Sequence, residues 1–206
     1  MKVNTNLWNR LRYDLYAPVY DLIARPFDRG RRRSFELVDL QPDEKVLIAG
    51  VGTGLDLEHL PKTVEVTAVD LSPKMLQRAA ERAHRLGLTA TFSVGSAHEL
   101  DAADDTFDVV VLHLVLAVIP DPLACIRETA RVLKRGGRLA IFDKFLPDNT
   151  RPSLLRRGIG VIANVLFSDI NRQLGPMLDS GGFTVVRQEP SVFGGAYLVA
   201  IVEKKT

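Results

Sequence analysis

Cysteine is nearly missing. Cys125 stands alone among 206 residues, so no disulfide can form within the chain, and a reducing compartment is expected. Long apolar runs are also missing. None approaches the ~20 consecutive residues of a membrane-spanning helix, and the N-terminus lacks the apolar core and cleavage site of a signal peptide. Both absences predict a cytoplasmic location. The four histidines are scattered and no paired Cys/His spacing occurs, so no metal is expected. The chain has no G-x-S-x-G, which excludes a nucleophile-elbow hydrolase. Its glycine-rich turn is not followed by Lys-Ser/Thr, which argues against a nucleoside triphosphatase.

What is present is an ordinary globular balance, 46% hydrophobic and 25% charged, in a length that suits one domain. The net charge of +2 hides an asymmetry. Residues 1–33 carry eight basic against three acidic side chains, among them Arg10, Arg12, Arg25, Arg29 and Arg31 to Arg33. A basic end on a mildly acidic body suggests an anionic surface as partner. Nucleic acid is not expected, because the stretch contains no recognised reading module.

From Lys45 onward, strand-like and helical stretches alternate. VLIAG, VEVTAVD, TATFSV, DVVVLHL and GRLAIFD read as five buried strands of a parallel sheet. SPKMLQRAAERAHRLG reads as a helix capped by Ser72, with Pro73 in its first turn and Gly87 at its end. A second helix is expected over Pro122 to Lys134, ended by Gly136-Gly137. FTVVRQEP and AYLVAIVEK read as a terminal edge hairpin around Gly194-Gly195. The alternation predicts a doubly wound α/β domain. Upstream, Trp8, Leu11, Leu15 and Leu22 fall on one side at helical spacing, and Pro18 divides the segment into two short helices.

VLIAGVGTGLDLEHL is a strand, then Gly50, Gly52 and Gly54, then a helix start. Glycines there permit positive φ and close approach of a ligand to the backbone. Asp70 ends the next strand, placed to accept hydrogen bonds from both hydroxyls of a ribose. Dinucleotide oxidoreductases share this logic, but here the spacing is G-x-G-x-G and the third glycine of G-x-G-x-x-G is displaced.

This order resembles class I S-adenosylmethionine-dependent methyltransferases. VLIAGVGTG looks like their first motif, VTAVDLSPKML their acidic loop, VGSAHELDAADDTFDVVVLHLVLAVIPDP their adenine-side segment and fourth strand, and ARVLKRGGRLAIFD the segment ending at the fifth strand. The likeness implies a Rossmann-like, seven-stranded sheet, mostly parallel with the last strand antiparallel. LYAPVYDLIARPFDRGRRR is similar to the N-terminal segment of short bacterial phospholipid N-methyltransferases. The resemblance implies S-adenosylmethionine as cofactor, Gly50, Gly52 and Thr53 along its methionine part, and Asp70 on its ribose. It further implies Leu71 and Met75 beside ribose and adenine, Ser96 and Ala97 at the adenine edge, and His113 and Leu114 near the sulfonium. Two departures stand out. Ile48 replaces an acidic residue near the methionine ammonium, and Ser96 replaces an aspartate facing the adenine amine. A lost hydrogen bond to a charged group costs roughly 1.5–3 kcal/mol and a neutral one about 1, so Ile48 is the more serious change.

For the acceptor, Tyr13, Tyr16 and Tyr20 recur at helical spacing and can form an aromatic edge, with Tyr20 the candidate catalytic residue. His113, at the end of a parallel strand, is the second candidate, against the plainer reading of a satisfied buried histidine. Residues 1–40 are expected to form basic amphipathic helices acting as a membrane or substrate lid. Residues 41–206 are expected to form the methyltransferase domain, with 151–178 as a substrate- or membrane-facing insertion. The leading functional expectation is methylation of phosphatidylethanolamine and its methylated products toward phosphatidylcholine, at the inner face of the membrane. The alternatives are a quinone or other small-molecule methyltransferase, and a membrane-associated binding protein with a degenerate methyltransferase fold. Nothing in the sequence addresses oligomeric state.

Overall fold

The computed structural model describes residues 5–146 and 171–205. Seven strands form one sheet: β1 Lys45–Ala49, β2 Glu65–Asp70, β3 Ala90–Val94, β4 Phe107–His113, β5 Leu133–Lys144, β6 Phe183–Pro190 and β7 Tyr197–Lys204. Their spatial order is β3-β2-β1-β4-β5-β7-β6. β1 to β5 pair in parallel, and β7 runs antiparallel between β5 and β6. Chain order reverses between β1 and β4. In open α/β sheets that reversal leaves a crevice at the C-terminal strand ends, where ligands bind.

The sheet is covered on both faces. On one, α3 (Asp28–Val38) and α4 (Pro73–Leu86) pack on the side chains of β1, β2 and β4, including Val46, Ile48, Val109 and Val111. On the other, α5 (Pro122–Val132) and α6 (Leu174–Gly181) cover Leu47, Val110, Leu112 and Leu139. α4 forms as expected. Ser72 Oγ accepts from Met75 N–H at 3.1 Å, Pro73 sits in the first turn, and Gly87 ends the helix at φ +65°. α3 approaches the sheet closely because residue 30 is glycine. A Cβ there would stand 2.2 Å from the Phe142 ring.

Several expectations change. β3 is an edge strand with mostly exposed side chains, not a buried one. The helix expected to reach Lys134 ends at Val132, and Gly136 and Gly137 lie inside β5, next to the register shift between Phe107 and Val109. The glycine turn leads into a five-residue 3-10 helix, Leu55–His59, rather than an α-helix. Most of 151–178 lies outside the described residues. Of its end, Leu174, Met177 and Leu178 are buried in the core.

At the N-terminus, α1 (Asn6–Tyr16) and α2 (Tyr20–Ala24) flank Pro18 as expected, and a 3-10 turn, Arg25–Phe27, leads into α3. α3 belongs to the sheet's own covering layer. α1 and α2 turn polar side chains inward and apolar ones outward. Asn9 and Arg12 are buried, while Leu7, Trp8, Leu11, Leu15, Val19, Leu22 and Ile23 are exposed, Leu15 by 74% and Leu22 by 73%. Arg12 and Arg31, expected in a solvated basic patch, are both buried.

Candidate active site

The ends of β1, β2 and β4 open a cleft of about 640 Å3, its mouth included. Nine of the ten expected cofactor residues line it: Gly50, Gly52, Asp70, Leu71, Met75, Ser96, Ala97, His113 and Leu114. Tyr20 lines it as well, from the start of α2.

The floor is the glycine turn. Gly50, Gly52 and Gly54 hold φ of +84°, +56° and +82°, a region costly for side chains that carry a Cβ. At Gly50 a Cβ would also come within 2.5 Å of Val115. Asp70 closes the turn. Its Oδ2 accepts from Gly52 N–H at 2.8 Å, and its Oδ1 from Ser72 N–H at 2.9 Å. The Leu71 N–H donates to the same carboxylate, and since a carboxylate offers about four acceptor positions, one remains for a ribose hydroxyl. Burial raises the Asp70 pKa against the backbone hydrogen bonds that lower it. Leu114 ends β4 at φ +60°, with its N–H on Phe142 O at 2.7 Å. Backbone strain of this kind concentrates at binding sites.

Thr53 is the exception. Its hydroxyl donates to Asp21 at 2.6 Å and lies outside the cleft lining. Asp21 also receives Arg82, which in turn holds Glu58. The neighbouring Tyr20 and Asp21 therefore divide the work: Asp21 pins α2 to the glycine turn, and Tyr20 faces the cleft. Asp14, accepting from Ser72 Oγ, makes a second pin.

His113 is not available as a base. Its ring is buried, with Nδ1 on Asp56 at 2.6 Å and Nε2 on Ser34 at 2.9 Å. Asp56 also pairs with Arg31 at 2.9 Å, both side chains almost wholly buried. Burial works against the charge of Asp56, but Arg31 and His113 outweigh it and hold its carboxyl far below the ordinary range. The expectation of a catalytic His113 gives way to a cross-brace joining β4, the 3-10 helix and α3. Neither Asp56 nor Arg31 was singled out from the sequence for this role. Arg31 reads as one of a basic run, and only the fold turns it inward.

α1 supplies Asn9, which sequence reasoning missed, and Tyr13, which it named. Asn9 lines the cleft and donates to Val118 O at 3.1 Å. Tyr13 stands beside Tyr20, ring centroids 6.2 Å apart at 73°. The signal was the i, i+4 pair Asn9/Tyr13 on the helix face opposite the apolar stripe. Burial raises the pKa of both tyrosines, of Tyr20 despite Arg31, whose guanidinium hydrogen-bonds its hydroxyl. Both hydroxyls stay protonated at neutral pH.

S-adenosylmethionine fits this donor set. Asp70 keeps one open acceptor position for a ribose, the glycine turn leaves backbone exposed, and Leu71, Met75, Val118 and Ile119 give apolar walls for a base. Ile48 is buried in the core and takes no part in the cleft.

Sheet order, antiparallel last strand and acid-bearing glycine cleft define the class: an α/β enzyme of the class I methyltransferase type. Residues 47–141 match the "Methyltransferase domain" family. A phosphatidylethanolamine N-methyltransferase of Cereibacter sphaeroides is 31% identical over 182 residues, covering 87% of this chain and 89% of that one. The chain belongs to the S-adenosylmethionine-dependent methyltransferases. A demethylmenaquinone methyltransferase of Thermotoga maritima is 37% identical over 148 residues, 68% of this chain and 62% of that one. Among solved structures, the [4+2]-cyclase SpnF superposes with a TM-score of 0.82 at 21% identity, covering 98% and 97% of the two chains. A geranyl diphosphate methyltransferase in complex with SAM gives 0.73 at 14%, covering 86% and 85%. Both structures share the fold.

Proposed function

We propose that this enzyme methylates the amine of a membrane phospholipid, phosphatidylethanolamine and its partly methylated products, with the lid resting on the bilayer. The observation that carries the reading is the exposed apolar face of α1 and α2 directly over the cleft. Seven large apolar side chains in residues 7–23 stand outward while the polar face is turned to the site. An enzyme with a freely soluble acceptor gains nothing from that arrangement. A lipid surface would cover such a face, and would hold acceptor headgroups at the mouth of the cleft. No helix among the described residues is long and apolar enough to cross a membrane. The Cereibacter relative supports the same acceptor.

The bound cofactor supplies a methyl group activated by a positive sulfonium. The chain's contribution is alignment, which can be worth several kcal/mol. Tyr20 Oη has two lone pairs. Arg31 occupies one, and the other can accept an N–H of the acceptor amine, turning the nitrogen lone pair toward the methyl. The faces of Tyr13 and Tyr20 can stabilise the cationic product by roughly 0.5–2 kcal/mol. Neither tyrosine is ionised at neutral pH and His113 is sealed off. The cleft therefore orients an amine and does not strip its proton with a strong base, so the rate should climb as pH rises toward the amine's own pKa.

The test is transfer of labelled methyl from S-adenosylmethionine to vesicles containing phosphatidylethanolamine, with products separated by headgroup. Label in mono-, di- or trimethylated headgroups is expected. Label only in added demethylmenaquinone would move the acceptor to the quinone class, for which the Thermotoga relative speaks.

A further inference from the structure

The adenine edge of the cleft departs from the family pattern at Ser96. A serine oxygen could take the aspartate's place as acceptor, but here it is already taken. The backbone N–H of Asp121 donates to His98 Nε2 at 3.2 Å. That nitrogen is therefore unprotonated, and the neutral ring carries its proton on Nδ1. Burial lowers the His98 pKa and so favours the neutral ring. Nδ1–H donates to Ser96 Oγ at 3.0 Å, the backbone N–H of His98 reaches the same oxygen at 3.2 Å, and Asn6 Nδ2 reaches it at 3.3 Å. Three donors converge on two lone pairs. Ser96 has only its own proton left, which suits a ring nitrogen of adenine but not the 6-amino group, itself a donor.

An acceptor without a partner lies next to Ser96, on α1. Asn6 Oδ1 is buried and has no hydrogen-bond partner among the described residues, although its amide nitrogen is engaged by Ser96. Buried polar atoms without a partner are rare, and one beside a ligand cleft calls for an explanation. We propose that Asn6 Oδ1 accepts the hydrogen bond of the adenine 6-amino group. Recognition of the base is then shared between Ser96 in the domain and Asn6 at the start of α1. The helix that carries the exposed apolar face on one side becomes part of the cofactor site on the other. Asn9, one turn on, is bonded to Val118 and anchors the same face of α1 over the cleft.

The experiment is calorimetric binding of S-adenosylhomocysteine and S-inosylhomocysteine, whose 6-oxo group accepts where the amine donates. The wild-type chain is expected to prefer the adenosyl compound by about 10-fold. Asn6→Ala should weaken adenosyl binding by about 5- to 10-fold, the scale of one neutral hydrogen bond, and lose most of the preference. Asn6→Asp, which keeps an acceptor, should retain the preference, and Ser96→Asp added to Asn6→Ala should restore it. Thermal melts confirm that each variant is folded. Full preference in a folded Asn6→Ala variant would overturn the proposal. A wild-type preference for the inosyl compound would overturn it too, since the amide nitrogen would then face the base.

Discussion

Arg31, Asp56, His113 and Ser34 form a sealed polar cluster beneath a cleft that must keep its shape. Removing one partner of a buried ion pair leaves the other charge uncompensated, at a cost of about 3–5 kcal/mol. Asp56→Ala should lower the unfolding free energy by that amount in denaturant titrations, far more than removal of an exposed acid such as Glu36. Tyr20→Phe is the opposite case. It removes one hydroxyl at the cleft, so kcat should fall about 10- to 100-fold, as for loss of a group that orients the reacting atoms, while the Kd for S-adenosylhomocysteine stays within about twofold. Asp143 gives a pH signature. It is buried at the end of β5, and burial pushes its carboxyl up to about 6 even though Ala117 and Lys144 N–H groups donate to it. A carboxyl with a raised folded pKa holds its proton more tightly in the folded chain than in the unfolded one. Stability from this group is therefore full below about pH 4 and is lost as pH rises to about 6. The total is on the order of 3 kcal/mol. Measured against Asp143→Asn at each pH, wild-type stability should decline across that window. A flat difference between the two would exclude the linkage.

α1 and α2 bring Asn9, Tyr13 and Tyr20 to the cleft, and their exposed stripe should be separable from their inner face. Leu15→Glu with Leu22→Glu alters only outward side chains. Vesicle sedimentation should fall by at least about 10-fold in this variant, with cofactor binding unchanged. If vesicle binding survives, the lid does not meet the membrane through this face. The helical stripe itself was legible in the sequence, because Trp8, Leu11 and Leu15 recur at helical spacing and Pro18 forces the break. Which way the stripe points was not legible. A period marks two faces, and only the cleft residues beneath decide that Asn9 and Tyr13 turn inward. The central strands were legible for the same reason that they are buried: Val and Ile run without polar interruption through β1 and β4. β3 misled because TATFSV has strand composition, while edge position depends on how many strands follow. The cleft residues were readable where the strand-to-helix turn demands a residue type, as at Gly50 and Asp70. Thr53 and His113 fit the motif, but their partners, Asp21 and Asp56, come from segments that the motif does not include.

Charge and apolar surface act together over the whole molecule, and their sizes decide how any membrane contact should respond to salt. The basic N-terminal run is weaker than its sequence suggests. Arg12 and Arg31 are buried, and Arg33 is held by Glu189 at 2.9 and 3.1 Å and by Glu36. Arg10, Arg25 and Arg29 remain exposed and make no ion pair among the described residues. At about 1 kcal/mol for each basic residue near an anionic surface, these three add at most about 3 kcal/mol, a contribution screened within ~10 Å at 0.1 M salt. Burying a large apolar side chain gains roughly 1.5–3 kcal/mol, so inserting even three of the seven exposed ones gains roughly 5 kcal/mol or more, independently of salt. The apolar face should therefore dominate. Binding to vesicles containing anionic lipid should weaken by one to two orders of magnitude from low to about 1 M salt, yet remain measurable. Zwitterionic vesicles should bind at about that residual level whatever the salt. Complete release at high salt would mean that the arginines carry the contact and the apolar face stays dry.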